Sequence, residues 1–167
     1  MLEYPVLLVF PIAMIYAAAM DFFTMTIPNR ISLALVAGFF AAALLGGLGW
    51  LEILQHVAAG AAVLAVAIVM FARGWIGGGD AKLMSATVLW FGFDQLANYA
   101  VGVALLGGLL TMLILSYRNV IPPIFIAGRD WAERLHDKNA GVPYGVAIGG
   151  AALWVYPSSE VFRAFAA

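Results

Sequence analysis

No cysteine occurs in the chain, which excludes disulfides, thiolate metal sites and cysteine nucleophiles together. Charge of either sign is scarce: Lys and Arg number 8, Asp and Glu 9, and the four types make up 10% of the residues. That near-balance leaves no basic footprint for nucleic acid. No fixed-period repeat, long charge run or Pro/Ser-rich linker divides the chain, so residues 1–167 are expected to form one domain. What fills the sequence is apolar. Hydrophobic residues make up 65% of it and its mean hydropathy is +1.00, more than a soluble core of this size needs, and the chain reads as an integral membrane protein. The first apolar stretch carries Glu3 but no Lys or Arg ahead of a run too long for a signal h-region, so it is expected to stay as a span.

A helix needs about 20 apolar residues to cross roughly 30 Å of hydrocarbon. Six segments qualify as spans: Pro5 to Met20, Ile31 to Leu48, Leu54 to Ala72, Lys82 to Phe93, Leu96 to Tyr117 and Val142 to Tyr156. The fourth crosses only if it starts near Ile76. Arg30, Arg73, Lys82, Arg118, Arg129, Arg134 and Lys138 then fall on one side, and Arg163 alone on the other. Basic residues in short loops mark the cytoplasmic side, so the expected fold is all-α, with six transmembrane helices and the N-terminus outside. The loop from Arg118 to Asn139 opens with Ile121-Pro122-Pro123. It then spaces Phe125, Trp131 and Leu135 as a short interfacial helix, with an Asp130–Arg134 pair and Gly141 as its stop.

Two acids stand out against this background. Asp21 closes the first span in "AAAMDFFTMTIPNR", and Asp80 opens the fourth in "WIGGGDAKL". Two crossings separate them, so both carboxylates are expected at similar depth near the cytoplasmic boundary. Ionisable groups at membrane depth are costly and mark functional sites. Two acids there can share a proton, one acting as base toward water and the other as acid toward a carbonyl, as aspartic peptide hydrolysis requires. Gly77, Gly78 and Gly79 would let an extended substrate backbone come close to the pair. Asp80 sits at a helix start and Asp21 at a helix end, so helix dipoles favour the anion on Asp80 by about 0.3 to 1 kcal/mol.

The remaining polar residues have plainer readings. Lys82 anchors the span or holds a lipid phosphate or the Asp80 anion, and Pro28 and Asn29 shape the turn into span two. Glu52 and His56 have metal-ligand spacing but no further ligand type nearby, and read as an exposed boundary pair. Asp94 follows an interfacial "WFGF", while His136 and Asp137 read as solvated loop residues. Tyr144 is an aromatic-belt residue or orients a substrate.

"GGGDAKL" fits a GxGD-x-K-L pattern. With Asp21 at the end of span one, "IPN" after it and "VPYGVAI" at the last span, the whole chain resembles the type IV prepilin peptidases, most of all the small Flp/Tad-type members built of the six-span core alone. GxGD is shared with the presenilin and signal peptide peptidase families, whose first acid typically follows a tyrosine; here Met20 precedes Asp21. The resemblance implies a bacterial inner-membrane aspartic endopeptidase that removes the basic leader of prepilins at the cytoplasmic face. Asp21 and Asp80 match its catalytic acids. Gly77, Gly78, Gly79, Lys82, Pro28, Asn29, Pro143 and Tyr144 fill supporting positions, with pilus or secretion machinery as a further partner. The cysteine-bearing insert of larger members is lacking, so neither metal nor cofactor is expected, and their coupled N-methyltransferase activity has no support. Two rival readings remain open: a small proton-coupled transporter, since paired membrane acids also relay protons, and a non-catalytic assembly scaffold.

Overall fold

In the computed structural model, which describes residues 3–120 and 128–166, every regular element is helical. These residues form α1 (Glu3–Thr24), α2 (Asn29–Leu45), α3 (Trp50–Ala72), α4 (Gly78–Phe91), α5 (Leu96–Tyr117), α6 (Asp130–His136), α7 (Tyr144–Val155) and α8 (Glu160–Ala166), with a 3-10 turn at Tyr156–Ser158 before the last helix. The breaks fall where the backbone chemistry demands them. Pro28, with φ −63° and ψ 138°, is the N-cap of α2, a place where its missing N–H removes no helical bond. Gly92 ends α4 at φ +62°, and an ideal Cβ there would lie 3.2 Å from the His56 ring. Glycine meets both demands.

All six expected apolar segments are helical, but their lengths differ. Val6–Thr24, α3 and α5 are long and apolar enough to cross a membrane, and α2 is a shorter apolar helix of 17 residues. With 14 and 12 residues, α4 and α7 rise only about 21 and 18 Å. The short helices sit inside. Buried residues occupy every side of α4, which packs against α2, α3 and α7, while α7 also packs on α1 and α5. The long helices α3 and α5 turn Val66, Val69, Leu105 and Met112 outward. An all-round apolar helix enclosed by others with exposed apolar faces is the arrangement of a bundle in lipid.

Association in lipid depends on close packing rather than water exclusion, which favours small residues at helix crossings. Gly149 meets the Met14 carbonyl of α1, Gly102 meets Ala151, and Gly60 of α3 meets Leu89 of α4. Around Trp90 the packing is aromatic: Phe10 stacks on Tyr156 at 4.4 Å and lies 5.1 Å from Trp90, whose indole N–H donates to the Leu35 carbonyl at 3.0 Å.

The expected interfacial helix exists as α6, with Trp131 packed on Phe22 and Phe23. Its details depart from expectation. Arg134 donates to the Phe23 carbonyl at 2.7 Å instead of pairing with Asp130, because α6 lies against the end of α1. The helix stops at His136, ahead of Gly141, whose carbonyl accepts from Arg118. Ile121, Pro122, Pro123 and Phe125 lie outside the described residues. His136 is not simply solvated: its Nε2 bonds the Val120 carbonyl at 3.0 Å.

Glu52 and His56 do not form an exposed pair either. Glu52 accepts from the Gly49 N–H at the start of α3. His56 is buried between the Leu89 carbonyl at 2.7 Å and Glu160 of α8 at 3.2 Å. The reason is long-range, since the partner acid lies on the final helix.

Candidate functional site

Contacts sort the helix termini into two ends of the bundle. At one end the last turn of α1 meets α6 and α7 through Arg134–Phe23 and Gly145–Asp21, and the start of α4 meets the α1–α2 turn through Lys82–Asn29 and Gly79–Ile27. At the other, Tyr156 donates to the Leu7 carbonyl and His56 meets Glu160. Asp21 and Asp80 share the first end, as do the seven cations expected on one side.

Asp21 does not close its helix. It lies a turn before Thr24, is 6% exposed, and accepts the Gly145 N–H through Oδ2 at 2.6 Å. An ideal Cβ at Gly145 would sit 2.8 Å from both Cβ and Oδ2 of Asp21, so only glycine allows this approach. Beyond Asp21 the chain turns at Met25, a non-glycine residue with φ +54° whose N–H bonds the Asp21 carbonyl at 2.8 Å.

Asp80 occupies the first turn of α4 and is half-buried; its Oδ2 accepts the Gly77 N–H at 3.3 Å, capping the helix it belongs to. Each carboxylate thus takes one amide from the start of a helix. The difference in helix-end environment expected between the two acids is reduced, because α7 brings Asp21 an amide that its own helix cannot. Neither Oδ1 bonds a described protein atom. Asp21 lies in the last turn of α1 and Asp80 in the first turn of α4, at the same end of the bundle.

The glycines serve the protein's own packing. Gly77 is the N-cap of α4, and an ideal Cβ on Gly79 would lie 3.2 Å from Ile27, and on Gly78 3.3 Å from the Phe71 ring. What comes close to Gly79 is the α1–α2 turn. That turn is also held by Lys82, which donates to Asn29 Oδ1 at 3.0 Å, so Pro28, Asn29 and Lys82 form one joint between α2 and α4. Pro143 is the buried N-cap of α7. Tyr144 turns away from the acids: its ring covers Gly107 of α5 and its hydroxyl lies 3.3 Å from Thr111.

Two contributors escape a reading of the sequence. Gly145 sits inside the quoted "VPYGVAI", yet nothing local marks its amide as a partner for Asp21. Arg118 is buried, and its guanidinium donates to three carbonyls, Leu135 through Nε at 2.9 Å and Ala140 and Gly141 through Nη2, each at 2.9 Å. It therefore holds the segment that leads from α6 into Pro143 and Gly145. A single arginine after an apolar span carries only a boundary signal. Among the described residues no three His, Asp or Glu side chains gather as a metal site would need.

A carboxylate pair on two helices, one acid following a glycine run, is an arrangement able to activate water against a peptide bond. No curated protein and no solved structure matches the chain. The type IV leader peptidase family matches residues 8–116, from α1 into the last turn of α5 and including both aspartates. The chain belongs to the type IV leader peptidase family, and is a membrane-embedded protease.

Proposed function

We propose that this protease is an aspartic endopeptidase of the bacterial inner membrane, with Asp21 and Asp80 as its catalytic acids, cutting the basic leader from Flp-type prepilins at the cytoplasmic face. In this reading residues 1–167 act as one domain that crosses the membrane six times from an outside N-terminus. The observation that carries it is the placement of Asp21 and Asp80 at the same end of the bundle, where seven of the eight cations lie, within a family of leader peptidases.

The chemistry needs one proton between the two carboxyl groups. The ionised acid takes a proton from a water held on the free Oδ1 atoms, and the hydroxide oxygen bonds the scissile carbonyl carbon. The protonated partner gives its proton to the carbonyl oxygen. Collapse of the tetrahedral intermediate breaks the C–N bond: the second acid takes back a hydroxyl proton as the C=O bond re-forms, and the leaving amine takes the proton gained by the first acid. Pro28, Asn29, Lys82 and Pro143 support the site by fixing the starts of α2, α4 and α7, with Tyr144 bracing α7 on α5. Gly77, Gly78 and Gly79 let α4 close on its neighbours so that Asp80 keeps its depth. Asp130, Glu133 and Asp137, on and just after α6, are the exposed carboxylates near which the basic leader would lie.

The test is incubation of purified protein in detergent with a synthetic prepilin. The wild type should yield the shortened product, and Asp21→Asn and Asp80→Asn should each lower its rate by on the order of 10²- to 10⁴-fold with helicity unchanged. Full cleavage by Asp21→Asn would end the dyad assignment.

A further inference from the structure

A groove of about 540 Å³ runs between α2, α3 and α4. One end is polar, with Asn29, Ser32, Lys82 and Ser85; beyond it Val36 and Phe40 of α2, Val57 and Leu64 of α3 and Leu89 of α4 form apolar walls. Lys82 has an exposed side chain and bonds the neutral Asn29 amide; no carboxylate pairs with it among the described residues. The polar end coincides with the bundle end that gathers the other cations. A cation left over at the mouth of an apolar channel calls for an anion that carries an apolar tail.

We propose that this groove binds one anionic phospholipid, its phosphate on Lys82, Asn29 and Ser32 and one acyl chain along α2 toward Phe40. Basic pockets between helices at a membrane boundary hold anionic headgroups in this way. The site does not depend on the catalytic assignment. Geometry separates it from a path for the substrate: Lys82 is two residues after Asp80 on one helix, and residues at that spacing point to opposite sides. Neither Asp21 nor Asp80 lines the groove.

Native mass spectrometry of the full chain, purified in detergent and titrated with phosphatidylglycerol or phosphatidylcholine, tests the site. The wild type should retain one phosphatidylglycerol. Lys82→Gln should weaken retention about fivefold, the loss expected for one cation at a membrane surface, and leave weak phosphatidylcholine binding unchanged. Ala61→Trp, which fills the apolar channel from an exposed lining position, should remove retention of both lipids. If that variant does not fold, Lys82→Gln decides alone. Equal phosphatidylglycerol retention by wild type and Lys82→Gln overturns the proposal, as does photocrosslinking of a prepilin stem to a probe at residue 61.

Discussion

The space where Gly145 would carry a side chain is already occupied by Asp21, which makes this glycine the most sensitive position outside the acids themselves. Gly145→Ala should move Asp21 by several tenths of an ångström and stretch its 2.6 Å bond to the amide. The expected result is a loss of cleavage approaching 10²-fold, measured on a synthetic prepilin, with the circular dichroism spectrum unchanged. Met25 predicts the opposite sign. Its φ of +54° costs a non-glycine residue about 1 to 2 kcal/mol, more than the roughly 0.4 to 1 kcal/mol of chain entropy that a glycine adds, so Met25→Gly should raise the thermal midpoint and Met25→Ala should not. The placement of the two acids at one bundle end was legible in the sequence, because two helices run between them. Gly145 was not, since the chain holds 18 glycines and its reason for being one is a contact 124 positions away. His56 was misread on the same ground: its partner Glu160 lies 104 positions on.

Among elements, the join between α6 and α7 depends on Arg118, whose guanidinium ties three carbonyls together. Hydrogen bonds to a charged group contribute about 1.5 to 3 kcal/mol each, and the sum is reduced by the cost of burying the cation. Arg118→Met should therefore destabilise the protein by about 2 to 4 kcal/mol, with amide hydrogen exchange rising across residues 135–145 before it rises in α3. Uniform exchange throughout would mean that the join is not a local device. The six apolar segments could be read from hydropathy because greasy length is a property of the chain alone. Helix length could not. Gly78 to Phe91 is cut short at one end by a capped glycine and at the other by Gly92, whose conformation answers to His56 on another helix.

For the whole molecule, seven of the eight cations gather at one bundle end, and the membrane side which that end faces is open to a direct check that the lack of cysteine makes clean. Ala97→Cys lies at the start of α5 and Lys138→Cys in the loop after α6, both exposed and at opposite ends of the bundle. A membrane-impermeant maleimide added to whole cells should label the first and not the second until the membrane is opened; the reverse pattern would invert the proposed orientation. One further consequence lies in the order of synthesis. Because the amide that Asp21 holds belongs to residue 145, a ribosome must translate for roughly 3 to 13 s after passing Asp80 before that contact can exist. A nascent or prematurely released chain therefore carries both acids without the brace that positions the first, and the hydrolase is assembled only as its final helices emerge.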